Sequence, residues 1–168
     1  MAEEKEKGWT APQQEEQHKW LLKLVGDWTI EGECIMGPDA PPMQSSGHET
    51  VRAVGDFWMI AEGEMKSPEG SGLTRMTLGY DPSKKRFVGS WVGSMMANMW
   101  VYQGELDESK KVLTLNTVGP DFENEGKELN YQDIIEVVDD DTRILRSRMQ
   151  GADGQWTQIM SATYKRRK

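Results

Sequence analysis

Two histidines, one cysteine and no long apolar run leave this 168-residue chain with little of the usual equipment of catalysis or anchoring. The single cysteine, Cys34, excludes an intramolecular disulfide and fits a reducing compartment. No basic residue lies near it in sequence, so it reads as a small buried hydrophobe rather than a nucleophile. The apolar runs are a few residues long, far short of the ~20 needed to span a bilayer. Met1-Ala2-Glu3-Glu4-Lys5-Glu6-Lys7 is charged and has no apolar segment behind it, so no secretory leader is expected. Residues 1–12 read as a flexible tail and the protein as cytoplasmic. A formal charge of −8 argues against nucleic-acid binding, which rests on phosphate neutralisation. The short basic run Lys165-Arg166-Arg167-Lys168 reads as a solvated strand end. There is no glycine-rich phosphate loop and no Gly-x-Ser-x-Gly, and Ser90 falls within a strand. His48, Cys34, Glu62 and Glu64 have no recognised metal-ligand spacing. Neither metal nor cofactor is expected.

What is present is a change of period. The length suits one domain, here 13–168, with 36% hydrophobic and 29% charged residues. Gln13 to Leu24 has helical spacing, with Trp20, Leu21, Leu24 and Gln17 on one face, Pro12 in the first turn and Gly26 as the stop. Beyond Gly26 the apolar period falls to two and stays there. Ten strands are expected: Trp28–Met36, Ser46–Val54, Phe57–Lys66, Leu73–Tyr80, Arg86–Ser94, Asn98–Leu106, Val112–Val118, Leu129–Val138, Arg143–Gln150 and Gln155–Arg166. Gly37-Pro38-Asp39, Gly55-Asp56, Asp81-Pro82-Ser83, Asp107-Glu108-Ser109 and Asp153-Gly154 supply turn chemistry between them. With no helices for crossovers, the strands pair antiparallel in order. An open sheet of that size would carry two long edges, so it closes into an up-and-down barrel. Trp28 on the first strand has a candidate stacking partner in Arg166 on the last.

His18-Lys19-Trp20-Leu21, Leu24-Val25-Gly26-Asp27-Trp28, Gly79-Tyr80-Asp81, Phe87-Val88-Gly89-Ser90-Trp91 and Tyr164-Lys165-Arg166 together resemble a bacterial family of unknown function. That family is grouped with the lipocalin-like, or calycin, barrels. The resemblance runs from His18 to Arg167 and implies the fold, with no reaction attached. Members often carry an acidic residue at the position of Gly93, which this chain lacks. Gly26-x-Trp28 followed by Gly32 also resembles the start of nitrobindin-like haem barrels. Those take an axial histidine from a strand near the C-terminus, and this chain has none after His48.

The candidate ligand-binding residues are His48, Arg52, Glu62, Trp91, Met99 and Trp100. His48, Thr50 and Arg52 share a face and enter the lumen together or stay out together. Glu62 and Glu64 share the parity of Trp58 and Ile60; the opposite face offers Phe57, Met59, Ala61 and Met65, and periodicity leaves the choice open. Met99 and Trp100 have opposite parity, so a regular strand points one of them inward. Trp91, Trp100, Tyr102, Met95, Met96 and Met99 suit an adaptable apolar pocket, with glycines 89, 93 and 104 leaving space beside them, or else fill a core. Methionines at the hairpin tip would form a lid or contact surface. The leading expectation is a barrel that binds a small apolar or amphipathic ligand. The alternatives are a cofactor-independent isomerase or proton-transfer enzyme using the same cavity, and a filled barrel acting as a homodimer.

Overall fold

The computed structural model describes residues 8–168, so residues 1–7 of the expected tail lie outside it; residues 8–12 are irregular, with Trp9 exposed. Among the described residues are one helix, α1 (Glu16–Leu22), and ten strands. The strands are β1 (Gly26–Cys34), β2 (Met43–Val54), β3 (Trp58–Ser67), β4 (Gly70–Asp81), β5 (Arg86–Gly93), β6 (Trp100–Leu106), β7 (Val112–Pro120), β8 (Glu128–Asp139), β9 (Thr142–Gln150) and β10 (Trp156–Arg166). Each pairs antiparallel with its neighbour in sequence, and β10 returns to β1, so the sheet is a closed barrel. No described helix is long and apolar enough to cross a membrane.

Closure forces one parity of every strand inward. In β1 the inward set is Trp28, Ile30, Gly32 and Cys34; in β7 it is Leu113, Leu115, Thr117 and Gly119. The helix is shorter than its sequence period, starting at Glu16 rather than Gln13, because Glu15 caps it. The Glu15 amide donates to His18 Nδ1 at 2.9 Å. His18, not Gln17, completes the buried face with Trp20, Leu21 and Leu24. With Nδ1 occupied as an acceptor, His18 Nε2–H donates to the Tyr80 carbonyl at 2.9 Å and holds the helix on β4. Trp20 Nε1–H donates to the Lys110 carbonyl at 2.7 Å, in the turn between β6 and β7 at the same end of the barrel. Burying these apolar side chains stabilises the plug by about 1.5–3 kcal/mol each.

The seam between β1 and β10 carries the expected stack. Trp28 faces Arg166 in the register, and the guanidinium carbon lies 4.3 Å from the indole centroid. Arg166 also donates to the carbonyls of Val25 at 2.7 Å, Lys23 at 2.9 Å and Asp140 at 2.9 Å. It therefore satisfies the C-cap carbonyl of α1 and a carbonyl in the turn into β1, and ties the helix to the seam with one side chain. Gly26 makes room for it: φ is +143°, and a Cβ there would lie 2.3 Å from Arg166 Nη1. Leu73, Val92, Met99, Val101 and Val118 form an exposed apolar strip at the far end, and Val54, Trp58 and Val138 are exposed nearer the helix. We expect Arg166→Ala to lower unfolding free energy by about 2–4 kcal/mol in urea titration, since charge-assisted bonds and a stack are lost together. An unchanged midpoint would mean that the strand ladder alone holds the seam.

Candidate functional site

Burial divides the barrel along its axis. Next to the helix, inward-facing Trp28, Val51, Met59, Leu78, Phe87, Leu113 and Ile135 are all 2% exposed or less. At the other end, inward-facing Met43, Met65, Trp91, Trp100, Met149 and Met160 are only partly buried. One end is plugged and the other is a mouth lined with indoles and thioethers.

Two polar groups sit between these ends. Glu49 on β2 and Arg143 on β9 form a buried ion pair across the interior. The Arg143 guanidinium carbon lies 4.0 Å from the Tyr164 ring centroid and 4.8 Å from that of Trp28. Arg143 Nε has no hydrogen-bond partner among the described residues. Nearer the mouth, Asp133 on β8 accepts one hydrogen bond on each oxygen: Tyr102 Oη donates to Oδ2 and Ser147 Oγ to Oδ1. Burial pushes the Asp133 pKa up, against the two hydroxyl donors that pull it down. Tyr102 is pushed well above the usual phenol range, by burial first and then by the Asp133 charge. Burial also raises Tyr164. Thr117 Oγ1, on an inward position of β7 opposite Tyr131, is buried with no partner.

Trp91 and Trp100 face each other across β5 and β6 and point inward, as expected of a lining. Trp100 packs edge-on to Tyr131 at 4.8 Å, and its indole N–H donates to Met96 Sδ at 3.1 Å. The space beside the glycines is not empty. A Cβ on Gly93 would meet the Trp91 ring at 2.4 Å, and one on Gly119 the Trp100 ring at 2.1 Å. At Gly89 and Gly104 neighbouring strands fill the gap, with Thr77 and Thr114 carbonyl oxygens 1.9 and 2.3 Å from the Cβ positions. The glycines let the two indoles lie flat at the mouth instead of holding a void open.

The other candidates stand outside the lumen. His48, Arg52, Glu62 and Glu64 lie on the outward parity of β2 and β3, because Glu49, Val51, Ala61 and Gly63 take the interior. Arg52 and Arg75 reach Glu62 at 2.7 and 3.5 Å, and His48 Nε2 lies 3.9 Å from Glu64. These exposed pairs form a charge ladder of about 0–1 kcal/mol each. Gly47 beside His48 lies mid-strand in β2. Met99 is exposed on the loop before β6 and belongs to the apolar strip. His48 and Glu64 line an outer-wall recess of about 490 Å³ with Thr29, Ser46, Thr163 and Lys165. A second recess of about 310 Å³ lies at the helix end, against Trp28, Arg143, Arg166 and Asp139 to Asp141. No group of three or more His, Cys, Asp or Glu among the described residues is placed to hold a metal ion.

Asp133, Glu49 and Arg143 were missed as lumen residues. Their signal was a charged residue on an apolar parity: Tyr131, Asp133, Ile135 and Val137 in β8, and Arg143, Leu145, Ser147 and Met149 in β9.

Residues 13–166 match the model of a family described as "Protein of unknown function (DUF1579)". No curated protein sequence matches the chain. Among solved structures, the S-type phycobiliprotein lyase CPES from Guillardia theta is 16% identical, with a TM-score of 0.59, over 89% of this chain and 92% of that one. Rv2717c from M. tuberculosis is 12% identical, with a TM-score of 0.60, over 93% of this chain and 100% of that one. At these identities the likeness is one of fold.

Two stability tests follow from the interior. Glu49→Ala strands a buried guanidinium and is expected to cost about 3–5 kcal/mol, while Glu49→Leu with Arg143→Met recovers most of it. A double-mutant cycle by urea unfolding reads the difference, and an additive double variant would contradict the pairing. For Asp133 the folded pKa is raised above the unfolded value, so the folded state holds more protons between the two. Its contribution is full below the unfolded pKa, near 4 by the ordinary aspartate value, and is lost as pH rises through the folded one. Asp133→Asn should therefore gain stability relative to the parent across that window, as measured by unfolding at a series of pH values. A gap that does not change with pH would remove the burial argument.

Proposed function

This chain belongs to the DUF1579 family, and from that premise and the geometry of its lumen we propose that it binds a small amphipathic molecule in the open half of the barrel. The observation that carries the reading is the burial gradient. The helix end is closed by fully buried side chains, whereas Trp91, Trp100, Met149 and Met160 face inward yet remain partly exposed. Large apolar side chains left half-wet inside a barrel gain from a guest that covers them. The thioethers adapt their shape at little cost, and the two indoles offer flat faces. Below them the Tyr102–Asp133–Ser147 group gives a guest's polar end a fixed place. The Glu49–Arg143 pair lies deeper and closes the floor.

Asp133 also favours a second reading, in which a lumen-bound substrate loses a proton to the carboxylate and regains it at another atom. Such an isomerisation needs no cofactor. The two readings part on one variant: Asp133→Asn would abolish turnover while binding through Trp91 and Trp100 persists.

The test is native mass spectrometry of the protein purified gently from its own host, compared with the denatured mass. The expected result is a reproducible non-covalent adduct whose affinity falls about 10- to 100-fold in Trp91→Ala, the loss of one large apolar contact. His48→Ala, on the outer wall, should leave the adduct unchanged. Bare protein in every preparation, or an adduct indifferent to Trp91→Ala, would count against the lumen.

A further inference from the structure

Three charged side chains occupy inward positions in the body of the barrel: Glu49, Asp133 and Arg143. Glu49 and Arg143 neutralise each other in one ion pair. Among the described residues Asp133 has no such partner. Its oxygens are met by the hydroxyls of Tyr102 and Ser147, which are dipoles and carry no charge. Tyr164 nearby is held as a neutral phenol by burial. The other inward cation, Arg166 at the end of β10, is committed to the Val25, Lys23 and Asp140 carbonyls at the plugged end. The inward positions therefore hold one carboxyl group without a paired cation, with Trp91, Trp100 and Tyr131 at inward positions on the far side of it from the helix.

Resting on the lumen-binding reading, we propose that the guest carries a cationic amine head that pairs with Asp133, joined to an apolar body that lies against Trp91 and Trp100. A carboxylate offers about four acceptor positions, and the two hydroxyl donors leave about two open. An ammonium donates up to three hydrogen bonds and supplies the missing counter-charge in a setting where an unpaired charge is costly. Indole and phenol faces at the mouth attract the same cation by their quadrupoles. An anionic head would meet Asp133 with like charge, and a neutral head would leave the carboxylate without a counter-ion. The acidic protein surface, at −8 overall, draws cations toward the mouth as well.

The experiment uses three probes with one naphthalene body: 1-naphthylmethylamine, 1-naphthylmethanol and 1-naphthoate. Each is titrated calorimetrically into the full chain at neutral pH. The expected order is amine about tenfold or more tighter than alcohol, with naphthoate weakest. Asp133→Asn should bring the amine to the level of the alcohol and leave the alcohol unchanged. Acidification that protonates Asp133 should do the same. Where Asp133→Asn does not fold, Ser147→Ala and Tyr102→Phe serve instead, because each frees a carboxylate oxygen. They should tighten the amine several-fold over the alcohol. Equal affinities for amine and alcohol, or a preference that survives Asp133→Asn, would overturn the head-group assignment while the lumen stands. If none of the three binds, or if Trp91→Ala changes none of them, both the assignment and the lumen reading fall.

Discussion

Arg143 joins four strands through the inside of the barrel, and the interior is organised around it. From β9 it bonds Glu49 on β2 and lies against Trp28 on β1 and Tyr164 on β10. A guanidinium in that position is tolerable only while its carboxylate and its two rings stay in place. Those contacts hold together the strands that flank the seam. Arg166 acts on the same indole from the end of the barrel, so Trp28 lies within stacking distance of two cations. Its own N–H is fixed on the Leu24 carbonyl at 2.9 Å. Helix, seam and floor are thus one connected piece of packing.

The same inward parity yields two different environments because the side-chain sizes and the cover differ along the axis. Beside α1, residues such as Leu78, Phe87, Leu113 and Ile135 interlock under the helix and exclude water. Past the level of Asp133 no described helix covers the barrel, and the inward positions include glycines beside large soft side chains. Gly93 and Gly119 let the Trp91 and Trp100 rings lie close to the wall. The division between the sealed and the partly exposed half of the interior falls at the polar layer of Tyr102, Asp133 and Ser147.

Most of the architecture was legible in the sequence. The fall from helical to alternating period, the Asp- and Gly-rich turns and the absence of crossover helices led to ten antiparallel strands in a closed barrel. The Trp28–Arg166 stack was legible too, since closure brings the first strand beside the last. What the sequence hid was parity where both faces of a strand read alike. In β3, Trp58, Ile60, Glu62 and Glu64 compete with Met59, Ala61, Gly63 and Met65, and only the partner strands decide. Trp58 goes outward to cover Gly79, and Glu62 goes out to Arg52 and Arg75. His48 attracted notice because histidine is rare here, although rarity has no bearing on direction. Asp133 escaped because a carboxyl in a strand resembles any solvated acid until Tyr102 and Ser147 are brought to it from β6 and β9.

The pairing of the first strand with the tenth fixes when the barrel can become whole. During synthesis, β1 emerges early and waits with an unpaired edge while eight further strands are added as a widening open sheet. Its permanent neighbour is the tenth and last strand of the barrel, so closure waits until the other nine have been made. Throughout that interval both outer strands are exposed to pairing with other chains. The charged outer faces of β1 and β2, with Glu31, Glu33 and His48 directed to water, discourage such pairing until β10 arrives.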